Sequence, residues 1–241
     1  MCACLDSAHN ADGDRITLMG EPRDNLIPED SPQPHDVQSA MAELRAALHG
    51  RKIDPICAAY GQLRQAASTL SASQLCKMIG EVLGPQAMTT IISAYSHMQC
   101  FMCSDGSVPC ETCHGTGELS PGRKCPNCDG LATMPCAFCR GTNWADRESI
   151  PGEILAVVSR RQREHVQREL PVLAKIVADL TPQKADATPI QKRREIARWL
   201  SRIWARLTAV AADQDTPKDE QMKFSLHATQ AEKLLEMLKD M

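Results

Sequence analysis

Aromatic residues are scarce in this chain: three Trp, two Tyr and three Phe in 241 positions. With so few aromatics and few runs of alternating apolar residues, a β-sandwich or barrel is not expected. No stretch approaches the ~20 apolar residues of a membrane-crossing helix, so no membrane partner is expected. The first ten residues, MCACLDSAHN, have neither a basic start nor an apolar run, so no secretory signal is expected. There is no nucleotide-binding glycine loop, no nucleophile with a placed base and no carboxylate pair set in a plausible cleft. These absences point away from an enzyme. Charge is also without excess, since 27 basic and 30 acidic groups leave a net of −3. That balance hides a polarity: residues 1–50 carry 3 basic and 9 acidic groups, whereas residues 151–210 carry 12 and 6.

Cysteine is abundant and concentrated. Eight of the twelve lie between Cys100 and Cys139, as four Cys-x-x-Cys pairs: Cys100/Cys103, Cys110/Cys113, Cys125/Cys128 and Cys136/Cys139. The second pair reads CETCHGTG, a complete Cys-x-x-Cys-x-Gly-x-Gly unit, and the other three are partial copies. Two cysteines two residues apart in a tight turn can place both sulfurs on one metal ion. The glycines that follow let backbone N–H groups approach the thiolates. Four such knuckles supply two closed Cys4 sets, so two structural zinc ions per chain are expected. Six, eleven and seven residues separate successive pairs, which permits either sequential or nested pairing. His97 and His114 are the nearby imidazoles and read as surface residues. Without an export signal, paired cysteines read as metal ligands rather than disulfides, which places the protein in the cytoplasm. A thiol oxidoreductase would carry one such motif at a helix start within a βαβ unit, a context missing here.

The remainder reads as mainly α, two helical blocks flanking the inserted finger. Residues 1–35 read as a disordered acidic arm, with Cys2 and Cys4 as free thiols. Residues 36–98 form the first block. Its helices carry Val37, Met41, Leu44 and Leu48 up to Gly50; Ile56, Tyr60 and Leu63 after Asp54-Pro55; Leu75, Ile79, Val82 and Leu83 after a Ser71–Gln74 capping box; and Met88, Ile91, Ile92 and Tyr95 from Pro85. Cys57 and Cys76 read as packing thiols within it. The finger occupies 99–145, and the second block spans 149–241. There a long apolar stripe from Leu155 to Leu180 is interrupted by Pro171, where a kink or break is expected. Residues 181–187 read as a linker. Thr188-Pro189 and Thr216-Pro217 then cap two further helices, whose apolar faces are Ile196–Val210 and Leu234–Leu238.

The four-knuckle array resembles the cysteine-rich domain of DnaJ-type co-chaperones over residues 100–142. That resemblance implies short β-hairpins and a nested pairing, with Cys100, Cys103, Cys136 and Cys139 on the first zinc. Cys110, Cys113, Cys125 and Cys128 would then take the second. The sequence has no His-Pro-Asp tripeptide, Gly/Phe-rich linker or β-rich substrate domain, so what the resemblance implies is a zinc module used alone, as in small assembly chaperones. Phage Q-type antitermination proteins are similar in a second way, since they embed a C-x-x-C-H-G-T-G unit like Cys110–Gly117 in a largely helical chain. They bind DNA and RNA polymerase.

Arg194, Arg198, Arg202 and Arg206 recur every four residues and so form one row along a helix, with Arg160, Arg161, Arg163 and Arg168 as a second basic cluster. The row reads either as a surface for phosphates or an acidic partner, or as a solvated face balanced by the chain's own acidic arm. The leading expectation is a non-enzymatic zinc-binding chaperone-like or adaptor protein that holds a protein client or complex. The alternative is a nucleic-acid or RNA-polymerase-binding transcription regulator.

Overall fold

Eight helices and two small strand pairs make up residues 36–240, the part of the chain described by the computed structural model. The expected acidic arm, with Cys2 and Cys4, lies outside the described residues. The first four helices are α1 (Val37–Gly50), α2 (Ile53–Ala66), α3 (Ala72–Leu83) and α4 (Ala87–His97). Asp36 caps α1 by accepting from the Gln38 N–H, and α3 carries both halves of the Ser71–Gln74 capping box. Local details differ from expectation. Gly50 stays helical and Arg51 takes the left-handed C-cap at φ 54°. Helix α2 begins one residue before Asp54, with Lys52 as a cap that makes no side-chain bond, and α4 starts at Ala87 rather than Pro85.

The periodic apolar residues of these helices pack into one core, with Leu44, Tyr60, Leu63, Ile79 and Ile91 fully buried. Val82 is the exception and stands exposed. Tyr60 and Tyr95 meet edge to face at 6.0 Å between centroids, and the Tyr95 hydroxyl donates to the Cys57 carbonyl at 3.0 Å. Cys57 is buried in this core and its thiol is pushed up to about 12, first by burial and then by Asp54, so it packs as a neutral group. Cys76 is half-buried, and its thiol is also raised by burial.

After the finger, one 3-10 turn (Arg147–Ser149) leads into α5 (Gly152–Asp179), followed by α6 (Pro182–Asp186), α7 (Ile190–Ala212) and α8 (Lys218–Asp240). Helix α5 runs 28 residues without interruption, so Pro171 does not break it. Pro171 removes one helical hydrogen bond, but Leu170 and Leu173 beside it are buried in the second core, and their burial offsets the loss. The segment read as a linker contains α6. Thr181 accepts from the Lys184 N–H at 3.4 Å, Pro182 occupies the first turn, and Ala185 is fully buried. Thr188 and Thr216 do not serve as the expected N-caps. Their hydroxyls donate backward to the carbonyls of Lys184 and Val210, both at 2.7 Å.

The second core joins the C-terminal part of α5 to α6, α7 and α8 through Leu173, Leu200, Ile203, Leu207 and Phe224. The start of α5 belongs instead to the first core, through Ile150, Ile154 and Val158. Packing therefore divides the helices within α5 rather than at residue 149. Because α5 is one rigid rod, it joins the two cores mechanically.

At the start of that rod, Glu153 is 7 % exposed and accepts from the Tyr60 hydroxyl and the Arg64 guanidinium, each at 2.8 Å. Burial alone would raise its carboxyl; its own backbone N–H, Tyr60 and Arg64 overcome this and hold it below the ordinary 4.5. A carboxylate with a depressed folded pKa contributes stability that is complete above its unfolded pKa and disappears as pH falls through the folded one. Glu153→Gln should therefore cost about 1–2 kcal/mol at pH 7. It should also flatten the loss of stability below about pH 4.5, as read by urea unfolding at a series of pH values.

Candidate metal centre and its seat on the helices

The knuckles are held apart and in register by two antiparallel strand pairs. Strand β1 (Ser107–Pro109) pairs with β4 (Thr133–Pro135), and β2 (Glu118–Ser120) with β3 (Arg123–Lys124). The first pair closes the long loop and sets the outer knuckles beside each other; the second is a local hairpin that does the same for the inner ones. The sulfurs fall into two groups in the nested arrangement: Cys100, Cys103, Cys136 and Cys139 form site 1, and Cys110, Cys113, Cys125 and Cys128 form site 2. Within each group all four sulfurs lie within 4.8 Å of one another.

The donor sets fit a tetrahedral thiophilic ion. Thiolates about 2.3 Å from zinc at tetrahedral angles stand about 3.8 Å apart. Cys103–Cys139, Cys110–Cys125 and Cys113–Cys128 are separated by 3.7, 3.9 and 3.8 Å. Each site could hold one metal ion, consistent with two zinc ions per chain. His97 and His114 are exposed and belong to neither group.

Backbone conformation explains why the partial repeats still work. Gly115, Gly130 and Gly141 each donate from N–H to the carbonyl of the first cysteine of their knuckle, at 3.1, 3.2 and 3.1 Å. All three, and the residues before them (His114, Asp129 and Arg140), have positive φ. Gly117, the second glycine of the complete unit, donates its N–H to Cys113 Sγ at 3.2 Å. Asn143 occupies the corresponding place in the fourth knuckle at φ 63° and donates its N–H to Cys139 Sγ at 3.3 Å. Ala132 takes the same place in the third at φ 70°. The sequence had lost those glycines while the fold kept their left-handed conformation, because a thiolate there needs the amide more than the chain needs the lower strain. The first knuckle is offset by one residue, with Asp105 and Gly106 at positive φ. Gly106 must be glycine, since a Cβ there would collide with the Gly141 carbonyl across site 1. Gly117 stands in the same relation to the Gly130 carbonyl across site 2, at 2.6 Å.

The thiols within each centre are pulled in opposite directions. Burial would raise the Cys110 thiol, but the amides of Cys113 and Thr112 and the Asn127 carboxamide bring it down to about 6, while burial and its neighbouring thiols push Cys128 up to about 12. At site 1, burial is likewise outweighed at Cys136 by the Cys139 and Phe138 amides, whereas Cys103 is raised by burial and by Cys100 and Cys139. Four adjacent thiols ionise only in part until a metal ion joins them.

The finger is seated on α7 by the arginine row. Arg194 Nε donates to the Gly130 carbonyl at 3.1 Å, and Arg202 pairs with Asp105. Arg206 Nε donates to the Thr142 carbonyl at 2.8 Å; its Nη1 reaches Glu169 at 3.2 Å and His165 Nε2 at 3.0 Å, and its guanidinium lies over the Trp144 ring. Arg198 is exposed and lines a crevice between the inner knuckles and α7–α8. Three of the four arginines therefore hold knuckle loops of their own chain. The sequence could place them on one face, yet it could not show that a knuckle-loop carbonyl waits opposite two of them. At the finger's neck, Cys100 N–H donates to the Asn143 carbonyl at 3.0 Å and Ala145 N–H to Met98 at 3.1 Å, joining the end of α4 to the approach to α5. Arg147 then pairs with the buried Asp213 at 2.8 Å, beyond the end of α7.

Compared with known proteins, the chain matches no family model, and no curated protein or solved structure matches it either. The double Cys4 module is thus defined by its own geometry. Among the described residues, no helix is long and apolar enough to cross a membrane.

Proposed function

We propose that this is a non-enzymatic, zinc-organised adaptor that presents the outer knuckles to a protein partner. One observation carries the reading. Phe101, Met102 and Phe138, three of the four residues between the cysteines of the two site 1 knuckles, are 79, 55 and 49 % exposed. The two phenyl rings lie edge to face, 5.4 Å between centroids. Two of the chain's three phenylalanines thus stand in solvent, on the turns that carry the site 1 thiols. The equivalent positions at site 2 are Glu111, Thr112, Pro126 and Asn127, so a closed knuckle does not itself require an apolar cap. An aromatic pair on a preorganised turn loses little conformational freedom on binding, which suits it as the centre of a protein interface. Using all eight thiols in two closed sets supports a structural rather than catalytic role for the metal. The DnaJ-like nesting supports the same class, a zinc module acting on another protein.

The alternative, a nucleic-acid or RNA-polymerase-binding regulator, drew on the Cys110–Gly117 unit and on the arginine row, most of which is engaged within the chain. The deciding experiment is affinity purification from the native host, with nuclease treatment, comparing wild type with Phe101→Ala/Phe138→Ala. A discrete protein retained by wild type and lost by a variant that still holds two zinc ions supports the adaptor. An unchanged set of co-purifying proteins, or nucleic acid alone, refutes it.

A further inference from the structure

A second feature lies at the finger's neck and shares no residue with the aromatic pair. The end of α4, the middle of α5 and the Gln99–Trp144 bridge enclose a cleft of about 350 Å³. Arg161, His165 and Arg168 fall at intervals of four and three on α5, so they share the face that forms its floor. Neither Arg161 nor Arg168 has an ion-pair or hydrogen-bond partner among the described residues. This sets them apart from the neighbouring arginines of the same helix, since Arg160 pairs with Glu164 and Arg163 with Glu220. The carboxylate that lines the cleft, Glu164, pairs with Arg160 at 4.0 Å between exposed groups, and Glu169 beside it is matched by Arg206. Among the described residues, Arg161 and Arg168 thus remain without an ion-pair partner.

The other lining groups add donors. Arg206 can only donate, so His165 accepts at Nε2 and carries its proton on Nδ1, free for another acceptor. The Ser93 hydroxyl and the Gln99 and Gln162 carboxamides make no hydrogen bond among the described residues. A donor-rich, positively charged cleft matches a ligand made of acceptor oxygens and negative charge. The two guanidiniums spring from points about 10 Å apart along α5, within reach of one group held between them.

We propose that this cleft binds a phosphate group, held by Arg161 and Arg168 and positioned by Ser93, Gln99 and His165. Its volume exceeds that of inorganic phosphate and suits a phosphate ester about the size of a nucleotide. The ester is either a free phosphorylated small molecule or one link of a phosphodiester chain. Because Gln99 adjoins Cys100, occupancy would be felt at the neck of site 1.

The test uses the zinc-loaded full chain, with inorganic phosphate, a nucleoside monophosphate and a short single-stranded oligodeoxynucleotide as probes. Binding is measured by calorimetry and by amide chemical shifts. Saturable binding should shift the Ser93, Ser96 and Gln99 amides and weaken about tenfold or more in Arg161→Gln/Arg168→Gln. Those side chains have no partner to strand, so zinc content and circular dichroism should stay at wild-type values. Lys175→Gln/Lys184→Gln removes two exposed charges outside the cleft and should leave binding unchanged. Preference for the monophosphate identifies a small ester; preference for the oligonucleotide identifies a phosphodiester chain. The proposal is overturned if no probe binds or if the shifts fall outside the cleft. Equal weakening in both double variants would also overturn it, as the signature of net charge alone.

Discussion

Removal of metal from site 1 should loosen both helical cores, whereas removal from site 2 should loosen only its own surroundings. Structural zinc sites contribute on the order of 10 kcal/mol or more of folding free energy, so either loss is large locally. The difference lies in what each site closes. Cys100 and Cys139 sit at the neck, where hydrogen bonds from Cys100 to Asn143 and from Ala145 to Met98 hold α4 to the approach to α5. Beyond that neck, Thr142 supplies the carbonyl for Arg206, and Asp105 supplies the carboxylate for Arg202. Site 2 reaches the helices through the Arg194–Gly130 bond, a bond from Lys124 to the Lys239 carbonyl at 3.4 Å, Leu131 packed against the second core, and the Lys239–Asp129 pair at 3.7 Å, the last between half-exposed groups and so worth little. Cys139→Ser should therefore speed amide exchange in α4, in the first turns of α5 and along α7, and lower the thermal midpoint by more than ten degrees. Cys110→Ser should confine faster exchange to β2, β3 and the start of α7. Equal patterns from the two variants, or helices indifferent to both, would show that the neck does not couple the blocks.

Arg206→Met should destabilise the folded chain by about 3 kcal/mol, the lower end of the cost of removing one partner from a buried ion pair. The side chain is 9 % exposed and serves four groups at once: the Thr142 carbonyl, Glu169, His165 and the Trp144 face. Methionine can fill much of the volume. It cannot answer the Thr142 carbonyl or the Glu169 charge, which at 19 % exposure is only partly hydrated. Adding Glu169→Gln to Arg206→Met should recover a third or more of the loss, because the stranded charge is then gone. Arg206→Lys should stay close to the methionine variant, since a single ammonium cannot span the carbonyl and the carboxylate as the guanidinium fork does. Urea unfolding of the three variants checks this. A methionine variant within 0.5 kcal/mol of wild type would mean that Trp144 packing alone seats the finger.

What the sequence determined by itself was whatever depends on local spacing. Two residues between cysteines dictate knuckles, and eight thiols in four such pairs supply two closed metal sets. Apolar positions three and four apart dictate helices around Leu44, Tyr60, Ile91, Leu200 and Ile203, and these residues do form the cores. Short-range signals were less dependable where two local partners competed. Thr188 and Thr216 could cap forward or bond backward, and both bond backward, Thr188 at the surface and Thr216 in the interior. The five-residue helix α6 shows no period at all and persists because Ala185 is buried.

Only the tertiary structure decided which sulfurs share an ion, because the intervals between pairs allow more than one closure. The β1–β4 pairing settles it by bringing Ser107 opposite Pro135. Tertiary contacts also gave the arginine row its role. Its four-residue period fixes a direction in space; what stands in that direction is a set of carbonyls and a carboxylate from loops some 60 to 100 residues earlier in the chain. Periodicity is a property of one helix, whereas the partner of a side chain is a property of how separate elements come together.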